Sequence, residues 1–226
     1  MKFILTCEHG GNRVPSKYRP LFKEAGKALA SHRGYDPGAL DLFHSLQPLA
    51  AASFFSEISR LLVELNRSLH HPQLFSEFSN VLSGEEKKKL LEAFYFPYRD
   101  AVEHEIATAL EAGEELLHIS IHSFTPILHG VTREADIGLL YDPSSDGEKS
   151  FCVRLKKALR NEAPALRVRF NYPYRGTADG FTTYLRKRFP KNYLGIELEV
   201  NQKFSQDNKM EEGLKQSIFE GISLLF

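Results

Sequence analysis

The chain has 226 residues, a length that suits one α/β domain with a substantial core, and we expect a single domain over residues 1–226. Its 29 lysines and arginines balance its 29 aspartates and glutamates, which argues against a nucleic-acid partner. No apolar run reaches the ~20 residues that span a bilayer, no secretory signal is recognised and only two cysteines occur, so a cytoplasmic protein without membrane association is predicted.

The predicted elements alternate between short β-type runs and longer segments of helical periodicity. Strands are predicted at residues 2–7, 54–57, 60–65, 116–121, 137–141, 166–170 and 193–200. Helical segments are predicted at 16–30, 38–51, 83–113, 148–162, 179–189 and 207–225, with breaks at Pro48 and Pro97. Ser83 and Glu86 form the capping-box pattern. This order predicts an α/β fold, with helices on both faces of a largely parallel sheet.

Two histidines follow strand-like runs, and this position makes them candidate metal ligands. His9 follows the first strand in "KFILTCEHGG", and His122 ends the strand "LLHISI". Because ligands of open α/β sheets bind beyond the carboxyl ends of strands, parallel strands would bring both imidazoles to one edge. Neutral imidazole is a good zinc ligand. The alternatives are an ordinary polar turn at His9 and a hydrogen bond from His122 to a loop; His118 is expected to be a strand residue.

Asp36 or Asn12 could supply the third ligand. Asp36 precedes Pro37 and a predicted helix, so it could instead cap that helix. As a ligand it would complete a set of two histidines and a carboxylate, with one position open for water. Glu8 or Asn12 could alternatively orient His9 through a hydrogen bond.

Two glutamates interrupt the apolar run "YLGIELEVNQ". Glu197 and Glu199 are two residues apart, so both point to the same face of a strand. Buried carboxylates are costly unless they are paired or bind a metal, although an edge strand with one solvated face would show the same pattern. In an internal strand, a glutamate could take a proton from water and pass it to a leaving nitrogen. Glu199, nearer the carboxyl end, is the preferred base, and Glu197 is the alternative.

Several polar side chains could bind an acidic substrate, because guanidinium groups bind carboxylates bidentately. Asn66 and Arg67 directly follow an apolar run and are the strongest pair, although any arginine could instead be a surface or ion-pair residue. Cys7 falls within a strand pattern and is expected to be buried and unreactive. The other candidates for substrate contact are Arg33, Arg133, Asn171, Tyr174 and Arg175, with Arg175 or Arg133 available to stabilise an oxyanion.

The segments that carry these candidates resemble, in order, the N-formylglutamate amidohydrolase family over residues 5–204. They read "CEHGGNRVP", "HRGYDPGA", "SRLLVELNRS", "IHSFTP", "READIGLLYDP", "NYPYRGTADGFT" and "IELEVNQ". The resemblance implies a three-layer α/β/α fold of the phosphorylase/hydrolase-like type, related to the zinc carboxypeptidases. It also implies hydrolysis of an N-acyl amino acid such as N-formylglutamate with a divalent metal, zinc being expected.

The resemblance carries over to individual positions. Two positions depart from the expected pattern: Asn12 stands where carboxypeptidases have a glutamate ligand, and Val-Asn-Gln follows Glu199 where an arginine is expected. The residues that match family motifs are His9, Asn66, Arg67, His122, Asn171, Pro173, Tyr174 and Glu199.

The sequence therefore predicts a metal-dependent amidohydrolase that acts on a small molecule with a carboxylate. His9, Asp36 and His122 would hold the metal, and Glu199 would act as the general base. The alternatives are a deacylase or peptidase acting on another N-acyl amino acid or small peptide, and a non-catalytic binding protein. The acyl group, the metal used in the cell and the oligomeric state are left open.

Overall fold

Ten strands and seven α-helices make up the computed structural model, which describes residues 1–226. The strands are β1 (Lys2–Cys7), β2 (Ala52–Phe55), β3 (Leu116–Phe124), β4 (Ile127–Leu128), β5 (Val131–Thr132), β6 (Ile137–Leu140), β7 (Val168–Phe170), β8 (Tyr193–Asn201), β9 (Ser205–Gln206) and β10 (Lys209–Met210). The helices are α1 (Gly26–Leu29), α2 (Ala39–Leu46), α3 (Gly84–Leu90), α4 (Phe96–Glu111), α5 (Asp146–Glu162), α6 (Phe181–Arg188) and α7 (Glu212–Ser223).

Six strands form one sheet in the order β2-β1-β3-β8-β6-β7. The first four are parallel to one another, whereas β6 is antiparallel to β8 and parallel to β7. The α/β fold with a mostly parallel sheet is therefore confirmed. In the register of the two central strands, Ser120 and His122 of β3 lie beside Glu197 and Glu199 of β8.

Helices cover both faces of this sheet. Apolar residues of α2, α5 and α7 pack against one face of the sheet and form the largest core cluster with it. This cluster also contains the fully buried Cys7. Residues of α4 and α6 pack on the other face around Leu116 and Tyr193. Because side chains alternate along a strand, His118, Ser120 and His122 of β3 share the α4/α6 face with Leu116. The polar side chains at the carboxyl end of the sheet therefore belong to this face.

Residues 60–65, predicted as a strand, form an irregular buried segment instead. Their apolar side chains join a separate cluster with Val14, Tyr18 and Phe22 from the segment after β1, and with Leu90 and Tyr95. The prediction was wrong because a short apolar run that is buried on several sides looks the same in sequence as a buried strand.

Other boundaries differ by a few residues. The second strand begins at Ala52, and the terminal helix begins at Glu212 after the hairpin of β9 and β10. The predicted capping box is confirmed, because Ser83 and Glu86 bond reciprocally at the start of α3. The irregularity expected at Pro97 lies just before it, as a π-helical turn over Leu91–Tyr95. Each helix is too short or too polar to span a lipid bilayer.

Candidate metal centre

The carboxyl ends of β1 and β3 bring His9 and His122 together, as predicted from the two strand positions. Their ring centroids are 5.0 Å apart. Asp36 lies between them, with Oδ2 3.3 Å from His9 Nδ1 and 3.0 Å from His122 Nδ1. All three residues are buried, and one potential ligand atom from each lies within 4.8 Å of the others. Asp36 therefore does not cap α2; its carboxylate faces the two imidazoles.

The Nε2 atoms of the two imidazoles face carboxylates on the outer side of this group. His9 Nε2 bonds to Glu64 Oε1. His122 Nε2 lies 2.9 Å from Ser120 Oγ and 3.3 Å from Glu8 Oε2, and Ser120 Oγ donates to that same oxygen at 2.5 Å. A carboxylate on Nε2 fixes the orientation of an imidazole and leaves Nδ1 available to a metal.

The residue that orients His9 is therefore Glu64, whereas Glu8 faces His122. Asn12 takes no part: its Nδ2 donates to the Leu29 carbonyl oxygen at the surface. Sequence reasoning missed Glu64 because it placed "RLLVEL" in a strand. The available signal was an acidic residue inside an apolar run.

Arg60 joins two of the carboxylates. Its Nε donates to Glu64 Oε2 at 2.7 Å, and its Nη1 donates to Asp36 Oδ1 at 3.3 Å. The contact with Oδ1 leaves Oδ2 of Asp36 directed at the imidazoles. Glu64 Oε1 also accepts a bond from the backbone N–H of Asn66 at 3.0 Å, so one segment of the chain shapes the centre and the adjoining cavity.

The buried charges of this centre are strongly coupled. Burial opposes ionisation of Glu8, Asp36 and Glu64, but the imidazoles, together with Arg60 for the latter two, outweigh it, so the pKa of each carboxyl lies below its usual value. A metal-binding imidazole must be neutral, and with both rings neutral the three ionised carboxylates and the one guanidinium leave two negative charges. Buried charge must be paired or must coordinate a metal. A divalent cation beside two Nδ1 atoms and one carboxylate oxygen would balance this excess, so the residues fit such an ion.

Glu199 and Glu197 lie next to this group on β8. Glu199 is 5% exposed, and its Oε2 is buried without a hydrogen-bond partner. Burial raises the pKa of Glu199 to about 8. Glu197 is half-buried, and its Oε1 accepts a hydrogen bond from Thr182 Oγ1 at 2.7 Å. The strand is internal, so the edge-strand alternative does not apply.

A cavity of about 170 Å³ opens beside the centre. Four of the predicted substrate-contact residues line it, namely Asn66, Arg67, Tyr174 and Arg175, together with both β8 glutamates. The predicted metal ligands line it as well. The full set of lining residues is His9, Asp36, Arg60, Asn66, Arg67, His122, Ser123, Tyr174, Arg175, Ala178, Asp179, Glu197 and Glu199.

The remaining predicted contact residues lie outside this cavity. Arg33 pairs with Glu77 at the surface. The Arg133 guanidinium lies 5.1 Å from the centre of the Tyr174 ring and donates to its hydroxyl, so it supports a cavity residue from outside.

Asn171 shapes the loop that carries Tyr174 and Arg175. Its Oδ1 accepts from the backbone N–H of Tyr141 at 3.1 Å and of Gly176 at 3.0 Å. Arg186 Nη1 also donates to the Gly176 carbonyl at 2.6 Å. A Cβ on Gly176 would come within 2.2 Å of the Tyr141 nitrogen, so the loop packs there only with glycine. Asn171 therefore acts on the backbone rather than facing the cavity.

Comparisons with known proteins show which family this chain belongs to. The family model described as N-formylglutamate amidohydrolase matches residues 1–205. A gene product from Agrobacterium tumefaciens has a similar crystal structure, with a TM-score of 0.78 and 28% identity over 99% of this chain and 91% of that chain. An N-formylglutamate amidohydrolase from Ralstonia eutropha JMP134 has a TM-score of 0.72 and 16% identity, covering 99% and 92%, a likeness that shows the fold. No curated protein matches the chain.

The family model covers most of the chain, and it includes every residue of the centre and the cavity described above. Membership of an amidohydrolase family supports hydrolysis of an amide bond. This chain belongs to the N-formylglutamate amidohydrolase family.

Proposed function

We propose that this chain is a metal-dependent hydrolase that releases an amino acid from an N-acyl amino acid of the N-formylglutamate type. The observation that carries this proposal is the position of Asp36 Oδ2 between the Nδ1 atoms of His9 and His122, beside a glutamate with an unpartnered oxygen. The family membership supports the amide bond as the target.

His9, Asp36 and His122 would hold the ion, and zinc suits two imidazoles and a carboxylate with one position left open. When bound, such an ion supplies Lewis-acid chemistry, in that it polarises a carbonyl group and lowers the pKa of water. Glu64 bonds His9 on its Nε2 side, and Ser120, held by Glu8, bonds His122 on its Nε2 side, so Nδ1 of each imidazole stays directed at the ion.

Glu199 is the proposed general base. Glu199 lines the cavity and its Oε2 has no hydrogen-bond partner, so in this role it accepts a proton from the attacking water and then delivers it to the leaving nitrogen. One carboxyl group can serve both steps, because the proton that it removes from water is the proton that it later delivers to the leaving nitrogen.

Two of the three arginines that line the cavity, Arg175 and Arg67, also have proposed roles. Arg175 is exposed at the cavity and its guanidinium forms no hydrogen bond or ion pair, so it can stabilise the negative charge that develops on the carbonyl oxygen. Arg67 uses only Nη1, which donates to the Asp179 carbonyl oxygen. Its other N–H groups can bind a substrate carboxylate.

The first test is Glu199→Gln, assayed on N-formyl-L-glutamate and on N-acyl amino acids with larger acyl groups, with zinc present. We expect zinc binding and the fold to persist while turnover falls by about 10²- to 10⁴-fold, because the amide cannot accept the proton. Elemental analysis and circular dichroism measure the first two quantities. Glu134→Gln, a surface change, is the matched control. Turnover of Glu199→Gln near that of the unchanged chain would reject Glu199 as the base.

A further inference from the structure

Apart from the histidines, three of the seven acidic and basic side chains that line the cavity are engaged by protein partners. Asp36 faces the imidazoles and Arg60, and Arg60 pairs with Glu64. Asp179 Oδ2 accepts from the backbone N–H of Ser68 at 3.1 Å. These groups build the site and are not available to a substrate.

Four acidic and basic groups remain available. Two are the guanidiniums of Arg67 and Arg175, and one is Glu199, the proposed base. The fourth is Glu197, for which the proposed mechanism has no role. Because Thr182 Oγ1 occupies only its Oε1, Oε2 of Glu197 has no protein partner. A half-buried carboxylate in a small cavity is expected to face a donor.

The space beside Glu197 is kept open by a glycine. A Cβ on Gly180 would lie 3.3 Å from Glu197 Oε1 and 3.3 Å from Asn66 Oδ1, so any side chain there would crowd both groups. Glu197 and Glu199 are two residues apart on one face of β8, about 7 Å along the strand. Both glutamates line the same cavity, so a substrate that receives a proton from Glu199 can also contact Glu197.

We propose that Glu197 binds the nitrogen of the amino-acid part of the substrate, as the amide N–H before cleavage and as the ammonium group afterwards. This inference rests on the proposed function and adds to it the residue that recognises the nitrogen of the substrate. Arg67 binds that carboxylate, and Glu197 binds the nitrogen of the same amino acid.

The charge balance of hydrolysis favours this role. Water adds its oxygen to the acyl carbon, the C–N bond breaks, and both water protons end on the nitrogen. A neutral amide with one N–H thus becomes a carboxylate and an ammonium group with three N–H bonds. An anionic side chain at that nitrogen binds the cationic product more strongly than the neutral amide, because charge-assisted hydrogen bonds are stronger.

The test compares amino acids with the same molecules lacking the amino group, by titration calorimetry on the zinc-loaded chain. The pairs are L-glutamate and glutarate, L-aspartate and succinate, and L-leucine and 4-methylpentanoate. We expect the best-bound amino acid to exceed its partner by about 10- to 100-fold in affinity, as for a hydrogen bond to a charged group. In Glu197→Gln this preference for the amino acid should vanish, while the affinity for the molecule that lacks the amino group stays unchanged. Arg67→Gln should weaken both members of the pair.

Equal affinity within every pair for the unchanged chain, or no binding of any amino acid, would overturn the inference without use of a variant. So would a preference that survives in folded Glu197→Gln. Because the binding measurement needs no turnover, it tests the role of Glu197 separately from the proposed function. Failure of the proposed function would instead appear as absent hydrolysis. Glu134→Gln again controls for a general change of charge.

Discussion

Two histidines on β3 share one face of the strand yet have opposite electrostatic environments. His118 is fully buried between hydroxyl groups, with Nε2 2.8 Å from Thr6 Oγ1 and Nδ1 2.7 Å from the Tyr193 hydroxyl. His122, four residues on, is 3% exposed and lies beside the carboxylates of Asp36 and Glu8.

Their protonation differs accordingly. Burial lowers the pKa of His118 to about 4. Burial also disfavours the charged form of His122, but the two carboxylates outweigh it and hold its pKa well above the usual value. Since both rings are buried, the partners decide the difference. Hydroxyl partners make His118 a neutral structural residue, whereas carboxylate partners make the site of His122 attractive to a cation.

The largest effect is expected from His122→Asn, which removes the imidazole at the carboxyl end of the strand. Because one of three proposed ligands is lost, bound zinc and hydrolysis should both fall to less than about a hundredth of their original values. Elemental analysis and the hydrolysis assay measure them. His118→Gln should retain both, and a zinc-loaded, active His122→Asn would contradict the proposed centre.

A smaller effect is expected from Glu8→Gln, which leaves His122 in place and removes the negative charge on its Nε2 side. The oriented carboxylate raises the basicity of an imidazole ligand, so zinc affinity should fall by about 10- to 100-fold. Competition with a chromogenic chelator measures that affinity, with Glu134→Gln as the control. Unchanged affinity in the folded variant would show that Ser120, which also bonds His122, suffices.

The third prediction concerns the pH dependence of stability. His118 has a folded-state pKa of about 4, below the value near 6.5 expected when unfolded, so the unfolded chain binds more protons between these pH values. Its effect is absent above about pH 6.5, and the free energy of unfolding falls as the pH is lowered through this window, by roughly 3 kcal/mol in total.

Replacing this histidine by glutamine, which does not titrate, should remove that contribution while retaining hydrogen-bonding groups for Thr6 and Tyr193. Urea unfolding of both chains at pH 7, 6, 5 and 4 measures this contribution as a difference between the two chains in how the free energy of unfolding changes with pH. If the free energy of unfolding changed with pH in the same way for His118→Gln and for the unchanged chain, the conclusion that His118 is neutral in the folded chain would be contradicted.

Sequence alone could predict the sheet and the meeting of His9 and His122, for a definite physical reason. His9 follows β1 by two residues, His122 lies near the carboxyl end of β3, and parallel strands end at one edge. The same reasoning placed Glu199 beside them, because side-chain alternation on β8 is regular. Where a residue's direction follows from strand geometry, its neighbours can be inferred before the fold is known.

Residues in irregular segments could not be placed in this way. Glu64 lies in an apolar run whose turns depend on packing against distant parts of the chain. Arg33 and Asn171 are polar loop residues, and nothing local indicates that one pairs with Glu77 while the other bonds backbone N–H groups. Their directions are set by tertiary contacts.

The loop held by Asn171 and Gly176 has a consequence for how this architecture can change. Its backbone is fixed by contacts that do not involve the side chains of Tyr174 and Arg175, both of which are exposed at the cavity rim. Replacing either side chain would alter the chemistry of the rim while the scaffold beneath it stays the same. New substrate preferences can therefore arise at these two positions without disturbing the histidines and carboxylates below.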